Sequence, residues 1–203
     1  MSIQLSEAPQ SSIALLQSVL TKSAVGGKYV LPTLSGKRTD AITVAQPHPV
    51  YNLGVRDIVD SRGLASAMFT GWRYLLLEGD TAVAAAEIAP DEGGGGLHFA
   101  GINAGPYVFS SAAALRALPT ELETDSQVFT VRILRCPALF LWAVWFYEGL
   151  NDNHQFWPLD PVPDYLEPHR LFSWSELAEK LISQARSRLA DDFNRGNIPS
   201  AGV

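Results

Sequence analysis

The thirteen residues from Pro137 to Gly149, PALFLWAVWFYEG, limit what this chain can become more than any other stretch. A helix that crosses a bilayer needs about 20 apolar residues. Here the apolar run, Cys136 to Tyr147, is 12 residues long, with Arg132 and Arg135 before it and Glu148 after it. It is too short to span, and its Trp, Phe, Tyr and Val content favours a strand. In a strand, side chains alternate between faces. Leu139, Leu141, Ala143, Trp145 and Tyr147 then point one way, and Phe140, Trp142, Val144 and Phe146 the other. A strand with one wet face would show polar residues at every second position. Neither set does, so the stretch is expected to be a central strand covered on both sides. Either the chain's own helices and loops cover it, or another chain or a ligand closes one face.

The neighbouring sequence also has period two. VFTVRILR, 128 to 135, places Phe129, Val131 and Ile133 on one face and Val128, Thr130, Arg132 and Leu134 on the other. Only the residues around Cys136-Pro137 separate it from the aromatic strand, which predicts a β-hairpin. GWRYLLLEGDTAVAAAEIAP, 71 to 90, predicts a second hairpin turning at Glu78-Gly79-Asp80, and LHFAGIN, 97 to 103, a single further strand. Helical spacing appears at both ends. Ile13, Leu16, Val19 and Leu20 share a face of an N-terminal helix. Trp174, Leu177, Ala178, Leu181, Ile182, Ala185 and Leu189 share a face of a C-terminal one, which Ser173 and Glu176 open as a capping box and Gly196 stops. A short helix is expected with Val55, Ile58 and Val59 inward, and another starting at Ser110 or Ser111 and ending before Pro119. Pro47 and Pro49 are expected to interrupt regular structure around His48. TELETDSQ reads as an acidic connection, and NDNHQFWPLDPVPDYLEPHR, 151 to 170, as a long proline-rich loop. The sum is an α+β fold: a largely antiparallel sheet of two hairpins plus a single strand, packed by N-terminal and C-terminal amphipathic helices. At 203 residues it is expected to be one domain, with residues 1–10 and 197–203 as flexible tails.

Charge narrows the partners. A net charge of −6, with no Lys/Arg cluster larger than Lys37-Arg38, opposes a nucleic-acid footprint or adhesion to an anionic membrane surface. The lone cysteine, Cys136, excludes an internal disulfide, and MSIQLSEAPQSS lacks the pattern of a secretory signal. A cytoplasmic location is the expectation. The excess of arginine over lysine and the abundant alanine suggest a GC-rich coding genome of bacterial type.

No catalytic signature stands out. His48, His98, His154 and His169 show no metal-ligand spacing. Asp152, His154, Asp160, Asp164 and His169 share one polar loop, as carboxylates and histidines do by chance. Cys136 reads as a small apolar turn residue rather than a nucleophile. GGGG, 93 to 96, lacks the GK[ST] of a phosphate loop, GINAGPY, 101 to 107, reads as a glycine-rich turn, and Arg56 and Asp60 as a solvated pair; no cofactor fingerprint is present. The expectation is therefore a non-enzymatic protein-binding or assembly module of adaptor, immunity or complex-subunit type. It would act on a protein partner, or on further copies of itself as an oligomer, through Trp142, Trp145, Tyr147, Trp157 and Tyr165. The alternative is a small-molecule-binding protein or enzyme with a site between the sheet and the 151–170 loop, using Asp152, His154 and Arg170.

Overall fold

The aromatic stretch becomes an interior strand of a large mixed sheet. The computed structural model describes residues 2–4, 7–60, 63–121, 128–149 and 154–194. In chain order the elements are β1 (Ser2–Gln4), α1 (Gln10–Lys22), β2 (Ala24–Val25), β3 (Lys28–Tyr29), β4 (Ile42–Asn52), α2 (Val55–Val59), β5 (Met68–Glu78), β6 (Thr81–Pro90), β7 (Leu97–Asn103), α3 (Pro106–Glu121), β8 (Val128–Cys136), β9 (Leu141–Tyr147), β10 (Gln155–Pro158), β11 (Phe172–Ser173) and α4 (Trp174–Asn194). The sheet runs β11-β10-β9-β8-β4-β5-β6-β7, with β1 beside the start of β8, while β2 and β3 form a separate ribbon. Neighbours are antiparallel except β4–β8 and β1–β8, which are parallel.

The period-two pattern divides β9 as its sequence dictates. Leu141, Ala143 and Trp145 pack with Ile58 of α2 and with Leu177, Leu181 and Ala185 of α4. Val144 and Phe146 pack on the opposite face with Phe129, Val131 and Ala114 of α3. The chain's own helices cover both faces of this strand. The β5–β6 hairpin divides in the same way: Tyr74, Leu76, Ala84 and Ala86 meet Leu16 and Leu20 of α1, and Leu75 and Ala85 meet Val108 and Ala112 of α3. Thus α3 lies on one face of the sheet, while α1 and the α2–α4 pair share the other at opposite ends. Among the described residues no helix is long and apolar enough to cross a membrane.

Several local expectations are corrected. Pro47 and Pro49 do not end the strand; both lie within β4, just after a shift in its register with β5 between Val44 and Pro47. Among the described residues that part of β4 has a strand partner on one side only, since β8 joins it from Val50 onward, and a one-sided stretch tolerates nitrogens that cannot donate. Helix α3 begins at Pro106, not at Ser110 or Ser111, because proline suits a first helical turn, and it continues past Pro119 to Glu121. The 151–170 region is not all loop: β10 adds Gln155–Pro158 to β9, and the Leu159 N–H continues the ladder to the Trp142 carbonyl at 2.8 Å. Ile13 faces outward, and the buried place near it belongs to Ser12, whose hydroxyl meets the Tyr74 hydroxyl at 2.5 Å. Phe140 is not on the strand. It is the left-handed residue, φ 55°, that closes the turn Pro137–Leu139, and its ring is 72% exposed. Ser2–Gln4, expected in a tail, lie beside Val128–Thr130. The predicted tail at 197–203, the Gly196 stop and most of the acidic connection fall outside the described residues. The capping box of α4 is present: the Ser173 N–H donates to Glu176 Oε2 at 2.9 Å, and the Glu176 N–H to Ser173 Oγ at 3.3 Å.

Candidate functional site

Strand register assembles an aromatic cleft on the face shared by α1 and α4. Arg132 on β8 pairs with Trp145 on β9, Tyr147 lies two residues further along β9, and Leu134 of β8 pairs with Tyr51 of β4. The Arg132 guanidinium therefore sits among three rings. It is 5.0 Å from the centroid of Tyr51, 5.0 Å from that of Trp145 and 3.4 Å from that of Tyr147. His154, just before β10, stacks on Tyr147 at 5.1 Å and meets the edge of Trp145 at 5.5 Å. Trp174, the first residue of α4, and the turn 63–67 close the remaining walls of a cleft of about 540 Å³. That volume lies within the range of small-molecule sites. The indole N–H of Trp145 and the Nε–H of Arg132 are both out of solvent and have no acceptor among the described residues. Trp145 itself is only 3% exposed.

A polar network occupies the opposite face. Arg73 donates to Glu87 at 2.5 Å and to Asn103 Oδ1 at 3.2 Å, and Arg135 donates to the same Glu87 oxygen. Both guanidiniums lie over the Trp142 ring, at 4.9 Å and 3.9 Å, and Tyr107 stacks on that ring at 4.9 Å. His48 pairs with Arg73 across β4–β5 and is buried. Burial, and then the Arg73 charge, lower its pKa from 6.5 to about 4. The imidazole is thus neutral in the folded protein at pH 7. Between pH 6.5 and about 4 the unfolded chain takes up a proton that the folded protein refuses, so stability falls with pH across that window and is insensitive above it. We expect a loss of about 2 kcal/mol between pH 7 and pH 5 from this group. Urea midpoints at the two pH values, in the parent and in His48→Gln, check it; the variant should lack this component.

The residues singled out from sequence scatter. Trp145 and Trp157 are buried, and Trp142, Tyr147 and Tyr165 are half-buried. Trp145 and Tyr147 belong to the cleft. Trp142 and Trp157 pack on the α3 face, and the Tyr165 hydroxyl donates to the Leu139 carbonyl at 2.8 Å. Of the polar trio, His154 lines the cleft, whereas Arg170 pairs with Glu167 and Glu176 over Phe172, and Asp152 falls outside the described residues. Cys136 is buried in the core, and burial raises its thiol pKa to about 11, which opposes a nucleophilic role. Among the described residues no three metal-ligating side chains gather. GGGG links β6 to β7, and Asn103 of GINAGPY serves Arg73. A larger depression of about 650 Å³ lies between Phe140, Tyr165 and the far part of α4. Arg188 and Asp191 bring opposite charges to its wall, and its described rings are two, Phe140 and Tyr165, against five in the aromatic cleft, which is the better-formed site.

Tyr51, Arg132, Trp174 and the 63–67 turn were not foreseen as site residues. The signal for Arg132 was available: it is the charged residue on a strand face otherwise made of Val128, Thr130 and Leu134. Comparison of the chain with protein-family models, with curated proteins and with solved structures finds no match in any of the three.

Proposed function

We propose that this protein is a non-enzymatic binding module whose ligand is a small molecule with a flat ring, seated in the aromatic cleft. The observation that supports this is the convergence of Tyr51, Trp145, Tyr147, His154 and Trp174 on one volume of about 540 Å³. Rings of this kind offer large stacking area at small entropic cost. Among the described residues the lining contains no nucleophile beside a base and no pair of carboxylates, which favours binding over catalysis. Trp145 and Trp174 provide the readout. On titration with flat aromatic compounds their indole ¹H–¹⁵N resonances should move. Ala65→Trp, at an exposed residue lining the cleft, should abolish the response. Unmoved indoles, or undiminished binding by Ala65→Trp, would refute the proposal.

A second reading, a protein-binding module, draws support from the way the rings continue beyond the cleft. Tyr51 meets Phe69 at 5.7 Å, and Phe69 meets Trp72 at 4.7 Å. Phe69 is 37% exposed, and the neighbouring Met68 is 69% exposed. A partner polypeptide, or a second copy of this chain, laid along that line would cover them. Phe69→Glu separates the readings: it would abolish such a complex in sedimentation and leave small-ligand titrations unchanged.

A further inference from the structure

We infer that the ligand of the cleft is an anion, a carboxylate carried on a planar ring, and that Arg132 is its anchor; the inference rests on the reading of the cleft as a small-molecule site. An aromatic cage is ordinarily a receptor for cations, because ring faces are negative. Here the cage already holds one. The guanidinium of Arg132 lies 3.4 to 5.0 Å from three ring centroids, so an incoming ammonium would meet a like charge. The site's preference is thereby reversed.

The hydrogen-bonding inventory points the same way. Arg132 makes no ion pair or hydrogen bond to any of the described carboxylates; its described contacts are with three ring faces. Faces engaged in this way leave the guanidinium edge, where its N–H groups point, for an acceptor. The described residues lining the cleft include no aspartate or glutamate, so none of them competes for that edge. The Trp145 indole N–H is a second donor, buried without an acceptor. Two donors, one of them cationic, with no carboxylate among the described lining residues, suit a carboxylate, whose two oxygens only accept. His154, stacked on Tyr147, and Trp174 supply surfaces for the ring that carries it.

Three probes that share one ring system test this: 2-naphthoate, 2-naphthalenemethanol and 2-(aminomethyl)naphthalene, each titrated into the full chain at pH 7 and followed by the Trp145 indole resonance, assigned with Trp145→Phe. We expect 2-naphthoate to bind at least tenfold more tightly than the alcohol, and the amine to bind most weakly. Arg132→Gln should bring the acid down to the level of the alcohol, and Arg132→Lys, which keeps the charge but loses the planar fork, should fall between. Acid and alcohol binding equally, or the amine binding best, would overturn the anion assignment while leaving the cleft as a ligand site. If none of the three moves the resonance, both the assignment and the small-molecule reading fail. The comparison of acid with alcohol in the parent protein decides the matter even if Arg132→Gln does not fold.

Discussion

Glu87→Ala should destabilise the fold by about 3–5 kcal/mol. Glu87 receives hydrogen bonds from Arg73, at 2.5 Å, and from Arg135. The side chain of Arg73 is only 2% exposed, and that of Arg135 14%. Alanine at position 87 leaves two guanidiniums over the same Trp142 ring, with the Asn103 amide oxygen as the remaining polar partner of Arg73. A buried charge without its counter-charge is costly, and here two like charges would also face each other. The pair as a whole is a different matter, since apolar residues of similar volume can replace a buried ion pair at little cost. Chemical denaturation of Glu87→Leu, Arg73→Met and the double variant measures this. The double variant should lose clearly less than the two single losses added together. A loss below about 1 kcal/mol for Glu87→Ala would mean that the network carries little of the fold's stability.

Gly71→Ala should be as damaging, for a backbone reason. Gly71 adopts φ 144°, and a Cβ placed there would lie 2.3 Å from the Ile88 carbonyl oxygen and 3.0 Å from the Ala89 Cα. Neither atom is the tip of a flexible side chain; both belong to β6, the hairpin partner of β5. To admit the methyl, the two strands must part at Trp72–Ile88, beside the Arg73–Glu87 pair. We expect a loss on the order of 3 kcal/mol or more, with a matching drop in melting temperature. Gly79→Ala is the control. Gly79 also has positive φ, 57°, but a Cβ there meets nothing within 4 Å, so its cost is limited to the strained conformation, about 1 kcal/mol. Equal melting temperatures for the two variants would contradict the close approach at Gly71.

Alternation made β9 and the β5–β6 hairpin legible from sequence, because a period of two assigns every side chain to a face without knowledge of the partner. Trp145 and Tyr147 on one side and Val144 and Phe146 on the other follow from that alone. The site was legible only in pieces. Tyr51 reaches it through the parallel pairing of Val50–Asn52 with Ile133–Arg135, a contact between distant segments that no local pattern announces. The prolines at 47 and 49 hid the strand that carries Tyr51, since their missing donors read as a break unless the one-sided pairing is known. Four-residue β10 likewise lies in a proline-rich stretch, which hid the stacking of His154 on Tyr147. What covers Trp142 and Trp157 could not be read either, because a tryptophan in an apolar strand looks the same in sequence whether a helix or a partner covers it.

The parallel pairing of β4 with β8 has a mechanical meaning. On one side of it lie β4 to β7, joined in chain order by antiparallel pairings; on the other lie β8 to β11, joined in the same way. Among the described residues three register pairs, Val50–Ile133, Tyr51–Leu134 and Asn52–Arg135, join the two halves along this strand boundary, and the Arg135–Glu87 ion pair crosses it. The boundary is a seam, and the aromatic cleft straddles it: Tyr51 comes from the first half, Arg132, Trp145 and Tyr147 from the second. A molecule held between those rings would bridge both halves, and by linkage it would strengthen the seam by as much as the closed seam favours its binding. A ligand there and this join would thus be coupled, and occupancy of the cleft would act as a rivet.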